Sequence, residues 1–197
     1  EEKNAHILAA AAIRYFMSRI STGKMIVFDF DEAMRTTGDT GVYCEYAHAR
    51  ACSILAKAKD VVSGFGSCAD AKGESVPQRS RKRKPADDRN AETSVVVPEH
   101  VTIPEENLIK KIAEFASVLR KAGQELSPAP LAHYAFELAT VFTDFYETPD
   151  PDAEKQIPFI KIEEPVLRNY RLALVDVFRQ TMANVLDSLG IIPLERI

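Results

Sequence analysis

The chain has 197 residues, 46% of them hydrophobic and 27% charged, with a formal net charge of −4. That length suffices to bury a real core and allows one or two domains, and the acidic balance argues against a surface coated in basic residues, leaving any RNA contact to local charge. The three cysteines (Cys44, Cys52, Cys68) form no C-x-x-C pair, the four histidines (His6, His48, His100, His133) have no metal-ligand spacing, and no apolar run reaches the ~18 residues of a membrane span.

Taken in order, residues 5–19 read as an alanine-rich first helix, ended by the break at 21–23. Free thiols in a reducing compartment are the simple reading of the cysteines. The chain starts on Glu1 without Met and is expected to be part of something longer. Residues 25–28 are a short apolar run, predicted extended. Asp29 suits the N-cap of a short helix through Arg35. Residues 38–41 form a turn, with Thr40 as the cap of a helix running to about Val62.

That helix has two unlike sides. At ~100° per residue, Tyr46, Arg50, Ser53 and Lys57 fall on one stripe, opposite Tyr43, Ala47, Ala51, Ile54, Ala58 and Val61. A tyrosine on the wet side with an arginine one turn on suits stacking on an unpaired base. The alternative is a partly buried tyrosine whose ring covers Arg50. His48 reads as a packed or capping histidine before it reads as an RNA contact, and Cys44 and Cys52 read as buried, inert thiols.

Residues 63–103 lose periodicity and are expected to form a long disordered insertion. Its basic run, 79–84, fits a solvated linker, a nuclear-localisation-like patch or an RNA-contacting arm. Helical spacing resumes after Pro104, with Glu105 and Glu106 in a first turn and Leu108, Ile112, Phe115, Val118 and Leu119 on one side. A break at 124–130 precedes a helix from Leu131 to about Tyr146. Residues 147–164 form a proline-rich, acidic connector. A last helix from Pro165 to Leu189 has an apolar arc wide enough for the centre of a bundle, and Gly190 ends it as a C′ glycine. The expected architecture is all-α, an antiparallel helical bundle with one long insertion.

Residues 41–50, GVYCEYAHAR, resemble the G-x-Y-x-x-Y-A-H-A-R segment of arginyl-tRNA synthetases. Residues 171–180, with Asn184 and the tail 189–197 (LGIIPLERI), resemble the last helix and ending of the same family, and 108–115 and 142–146 resemble helices between them. The resemblance implies the all-helical anticodon-binding domain over 38–197, with 1–37 joining it to a catalytic domain. It implies an enzyme that attaches arginine to tRNA(Arg) with ATP and Mg2+, and whose activation step requires bound tRNA. No H-I-G-H-like or K-M-S-K-S-like signature occurs in these 197 residues, so this part should bind tRNA through the anticodon loop without catalysing and with no cofactor of its own.

Carried over residue by residue, the implied tRNA contacts are Tyr46, Ala47, Arg50 (to phosphate or base), Tyr146 and Ile197. Ile197 stands where the family ends on methionine, and it lacks that side chain's flexible thioether. A cytoplasmic monomer that contacts neither DNA nor membrane is expected. The competing readings are a helical protein-interaction scaffold and a stand-alone tRNA-binding paralogue.

Overall fold

A computed structural model describes residues 2–21, 23–61, 97–98, 100–147 and 162–197. Most of the expected insertion, including the basic run 79–84, and most of the proline-rich connector lie outside the described residues. Among the described residues every regular element is a helix: α1 (Glu2–Ser18), α2 (Phe30–Ala33), α3 (Gly41–Val61), α4 (Ile103–Ala113), α5 (Phe115–Glu125), α6 (Ala129–Glu147) and α7 (Pro165–Ser188). None is long and apolar enough to cross a membrane.

The caps follow from local chemistry. Asp29 accepts the Glu32 N–H at 3.1 Å and starts α2. Thr40 Oγ1 accepts the Tyr43 N–H at the start of α3. Gly190, at φ +71°, ends α7: its N–H donates to Asp187 O, and the Ile191 N–H reaches back to Leu186 O at 2.8 Å. These are the paired bonds of a Schellman ending, and they turn the chain back over the bundle. Residues 25–28 form no strand; Phe28 instead sets its ring edge-on to Phe16, 4.9 Å between centroids.

The stretch after Pro104 is two helices and not one. At the junction, Glu114, the Lys111 carbonyl accepts the Glu114 N–H at 3.2 Å. It also accepts the Tyr134 hydroxyl of α6 at 2.8 Å. A side chain inserted into the helical ladder is a known cause of such a break.

The core lies between α3, α6 and α7. Phe142 of α6 stacks on Phe178 of α7 at 3.8 Å and 4°, among the buried side chains of Leu138, Leu172, Met182 and Leu186. The inward arc of α3 joins them through Ala47, Ala51, Ile54 and Ala58. Helix α1 adds Ala11 and Tyr15 to the same cluster, and it crosses α3 at Gly41. A Cβ on Gly41 would lie 2.7 Å from Tyr15 Cβ and 2.8 Å from the Ala11 carbonyl oxygen, so only glycine permits this approach.

Candidate nucleic-acid interface

Small residues on α3 decide what stands out from it. Alanines at 47, 51 and 58 let the helix sit deep in the bundle, so the opposite stripe is left as a low ridge. Tyr46 is 51% exposed, and Ser53 and Lys57 are exposed with it. The tail that follows the Gly190 turn runs back beside this ridge. Together they form an open groove of about 560 Å3 whose walls include Tyr46, Arg50, Ser53 and Lys57 from α3 and Arg196 and Ile197 from the tail. Ala49, Cys52, Ala56 and Glu195 also line it. Ile197 is 57% exposed.

Arg50 joins two aromatic rings. Its guanidinium carbon lies 4.2 Å from the centroid of Tyr146 and 5.8 Å from that of Tyr46. A cation over a tyrosine face is attracted by the ring quadrupole, by ~0.5–1 kcal/mol where water has access. Tyr146 is partly buried and lies near-parallel to Phe142 at 6.5 Å. It meets the groove through Arg50 and is not itself in the groove wall. The structure thus brings Tyr46, Arg50 and Ile197 into one groove, with Tyr146 on the other side of Arg50.

Ala47 lies apart from the groove wall. At 3% exposure its methyl is part of the core cluster, and its side chain offers no contact surface. Its place is one helical step from Tyr46, on the inward arc, where a small residue lets α3 pack closely.

The sequence reading missed the polar hold on the tail. Glu45 is fully buried, and its Oε2 accepts the Leu194 N–H at 2.8 Å. His48, one turn along, is also buried, with Nδ1 2.8 Å from the Leu194 carbonyl oxygen. A carbonyl only accepts, so Nδ1 carries the proton and Nε2 is left as an acceptor. The Cys52 sulfur lies 3.8 Å from that Nε2. Burial lowers the pKa of His48, which favours this neutral form. Burial also raises Glu45 to about 7, against the lowering effect of the Leu194 N–H, and pushes Cys52 up to about 11. Helix α1 holds the same strap: Asn4 donates to the Arg196 carbonyl at 3.1 Å, and Arg14 donates to that of Gly190. A glutamate and a histidine three apart on an otherwise alanine-rich face were the available signal, because buried polar groups demand partners.

The all-helical bundle is one of a known class, and the chain belongs to it. It is a member of the DALR anticodon binding domain family, whose model matches residues 44–197. The relatives it resembles are arginine–tRNA ligases. It is 35% identical over 187 residues to the Arginine--tRNA ligase of Methanococcoides burtonii, covering 95% of this chain and 27% of that protein. With the Methanosarcina acetivorans ligase the identity is 37%, over the same shares. Among solved structures, Thermus thermophilus arginyl-tRNA synthetase superposes with a TM-score of 0.74 at 28% identity, covering 100% of this chain and 28% of that one. The Plasmodium falciparum arginyl-tRNA synthetase shares the fold, at TM-score 0.68 and 23% identity over 99% of this chain and 28% of that one. The chain therefore spans about a quarter of the length of the relatives it matches.

Proposed function

We propose that this chain is the anticodon-reading part of an arginine–tRNA ligase, and that the α3–tail groove takes unpaired anticodon nucleotides. The observation that carries this reading is the shared groove: an exposed tyrosine, an arginine bridging to a second ring, and an aliphatic chain end, drawn from two distant parts of the sequence. In this reading Tyr46 stacks on a base, and stacking of this kind contributes ~1–3 kcal/mol per base. Arg50 contacts phosphate or base while Tyr146 holds its guanidinium from behind. Ile197 closes the groove against a second base face. Lys57 and Arg196 supply local positive charge despite the acidic total, and a phosphate track requires only a few such cations. The whole enzyme would attach arginine to tRNA(Arg) with ATP and Mg2+ in the part that this chain does not span. Residues 1–37 would join that part to the bundle at 38–197. A monomer working in the cytoplasm fits the reading.

Binding of a tRNA(Arg) transcript by this chain tests it. Tyr46→Ala is expected to weaken binding about tenfold or more, the loss of one stacked base. Tyr146→Ala is expected to weaken it less, by releasing Arg50. Circular dichroism checks that both variants keep the helical fold. Wild-type affinity in both would remove the groove from anticodon recognition. Retention of a protein partner with no tRNA binding would favour the scaffold reading.

A further inference from the structure

We infer that Glu45 and His48 are positioning residues for anticodon binding: together they hold both backbone groups of Leu194 and so set the tail that forms one wall of the groove. The inference rests on the proposed function and adds to it residues that touch no RNA.

Leu194 is gripped on its N–H by Glu45 and on its carbonyl by His48, at 2.8 Å each. Both grips come from one face of α3, and Tyr46 stands between them in sequence. The residue that builds the stacking face and the residues that fix the opposite wall are therefore on the same rigid helix. The tail makes no strand ladder, so these two bonds do for it what a neighbouring strand would do, satisfying a buried backbone that would otherwise lack partners. The Leu194 side chain is buried beside them, while the next three residues, Glu195, Arg196 and Ile197, are exposed. Leu194 is thus the last anchored point before the groove wall. Beyond it, the Asn4 bond to the Arg196 carbonyl also holds the tail.

The hold is uneven. Glu45 Oε1 is buried with no hydrogen-bond partner among the described residues. A carboxylate kept in the interior for one hydrogen bond is poor material for stability alone, since an apolar side chain would fill the space without that desolvation cost. Its use is to fix the register of the tail against α3. The His48 tautomer is set by the same contact and backed by Cys52.

The test uses this chain, the anticodon stem-loop RNA of tRNA(Arg), and hydrogen exchange at the Leu194 amide. A variant ending at Leu194 sets the cost of losing the groove wall, expected to be about tenfold in Kd if one base contact goes with it. Glu45→Ala and His48→Ala are each expected to expose the Leu194 amide and to weaken binding towards that same level. Neither should add to the truncation when combined with it. Glu45→Gln and His48→Asn, which keep an acceptor and a donor in place, are expected to restore binding, a rescue that a merely space-filling role would not show. If an alanine variant loses its melting transition, Glu45→Met and His48→Phe keep the volume and carry the same expectation.

Near-wild-type affinity in the Glu45 and His48 variants, with truncation still costly, would overturn the positioning role and leave the groove reading standing. Failure of rescue in folded Glu45→Gln and His48→Asn would also overturn it. Unchanged binding on truncation and in Tyr46→Ala alike would remove the groove reading itself, and the inference with it.

Discussion

Among the described residues two glutamates are fully buried, and they are treated differently. Glu105, at the start of α4, is satisfied on both oxygens: Oε2 takes the Thr102 N–H at 2.8 Å, and Oε1 takes Arg171 Nε of α7 at 2.7 Å. Glu45, on α3, takes one backbone N–H, and its second oxygen has no partner among the described residues. The first arrangement ties a helix start to the central helix through an opposite charge. The second leaves a carboxyl whose pKa burial lifts to about 7. One glutamate is a closed structural link. The other is a soft contact beside an open groove, and soft contacts belong where a chain end must be placed more than it must be stabilised.

Removing a charge partner should separate the two most sharply. Arg171→Leu leaves the Glu105 carboxylate buried without its cation, and breaking such a pair costs ~3–5 kcal/mol. Urea unfolding near neutral pH is expected to show a loss of that size, and Glu105→Met added to Arg171→Leu is expected to recover most of it. A loss below ~1 kcal/mol would mean that the pair is open to water and that the contrast with Glu45 is false.

Acidity gives the next largest effect. The folded chain holds the Glu45 proton between pH 4.5 and about 7, where the unfolded chain releases it. Stability from this group is therefore present in full below pH 4.5 and is lost as pH rises to about 7, by roughly 3 kcal/mol at 1.36 kcal/mol per pH unit. Glu45→Gln has no such proton, so its stability relative to the parent should rise by about that amount across the window and stay level above it. His48, lowered by burial, pulls the other way below 6.5; it is present in both proteins and cancels in the difference. A difference that does not change with pH would show that Glu45 is ionised throughout and solvated.

Much of this fold is written in local pattern. The two sides of α3 follow from residue spacing, the end of α7 from Gly190, and the start of α2 from Asp29. Long-range partners are not legible in this way. Nothing near Glu105 in sequence points to Arg171, 66 residues away; the T-x-x-E spacing of Thr102 and Glu105 marks only the helix start. At the break by Glu114 the Lys111 carbonyl meets a hydroxyl from another helix, a contact that helical periodicity passes straight over. The tail meeting α3 also has no local signature. Its place in the groove came from resemblance to a family, and the grip of Glu45 and His48 became visible only once Leu194 stood between them. Ala47 shows the converse: spacing puts its methyl inward, where it packs, while only resemblance puts it with the contacts.

The smallest effect probes the wet side of the comparison. Lys57 is exposed at the groove edge with no ion pair among the described residues, so Lys57→Ala should leave unfolding free energy within ~0.5 kcal/mol of the parent. Its expected effect lies in how RNA binding responds to salt. Each lost phosphate contact on a single strand lowers the slope of log affinity against log salt by ~0.7, and the weakening should be uniform across anticodon sequences because phosphates carry no base identity. Titrations at several salt concentrations measure this directly. A change in slope without a change in stability would separate the groove's charges from its scaffold, whereas an unchanged slope would take Lys57 off the phosphate track and leave Arg50 and Arg196 to supply it.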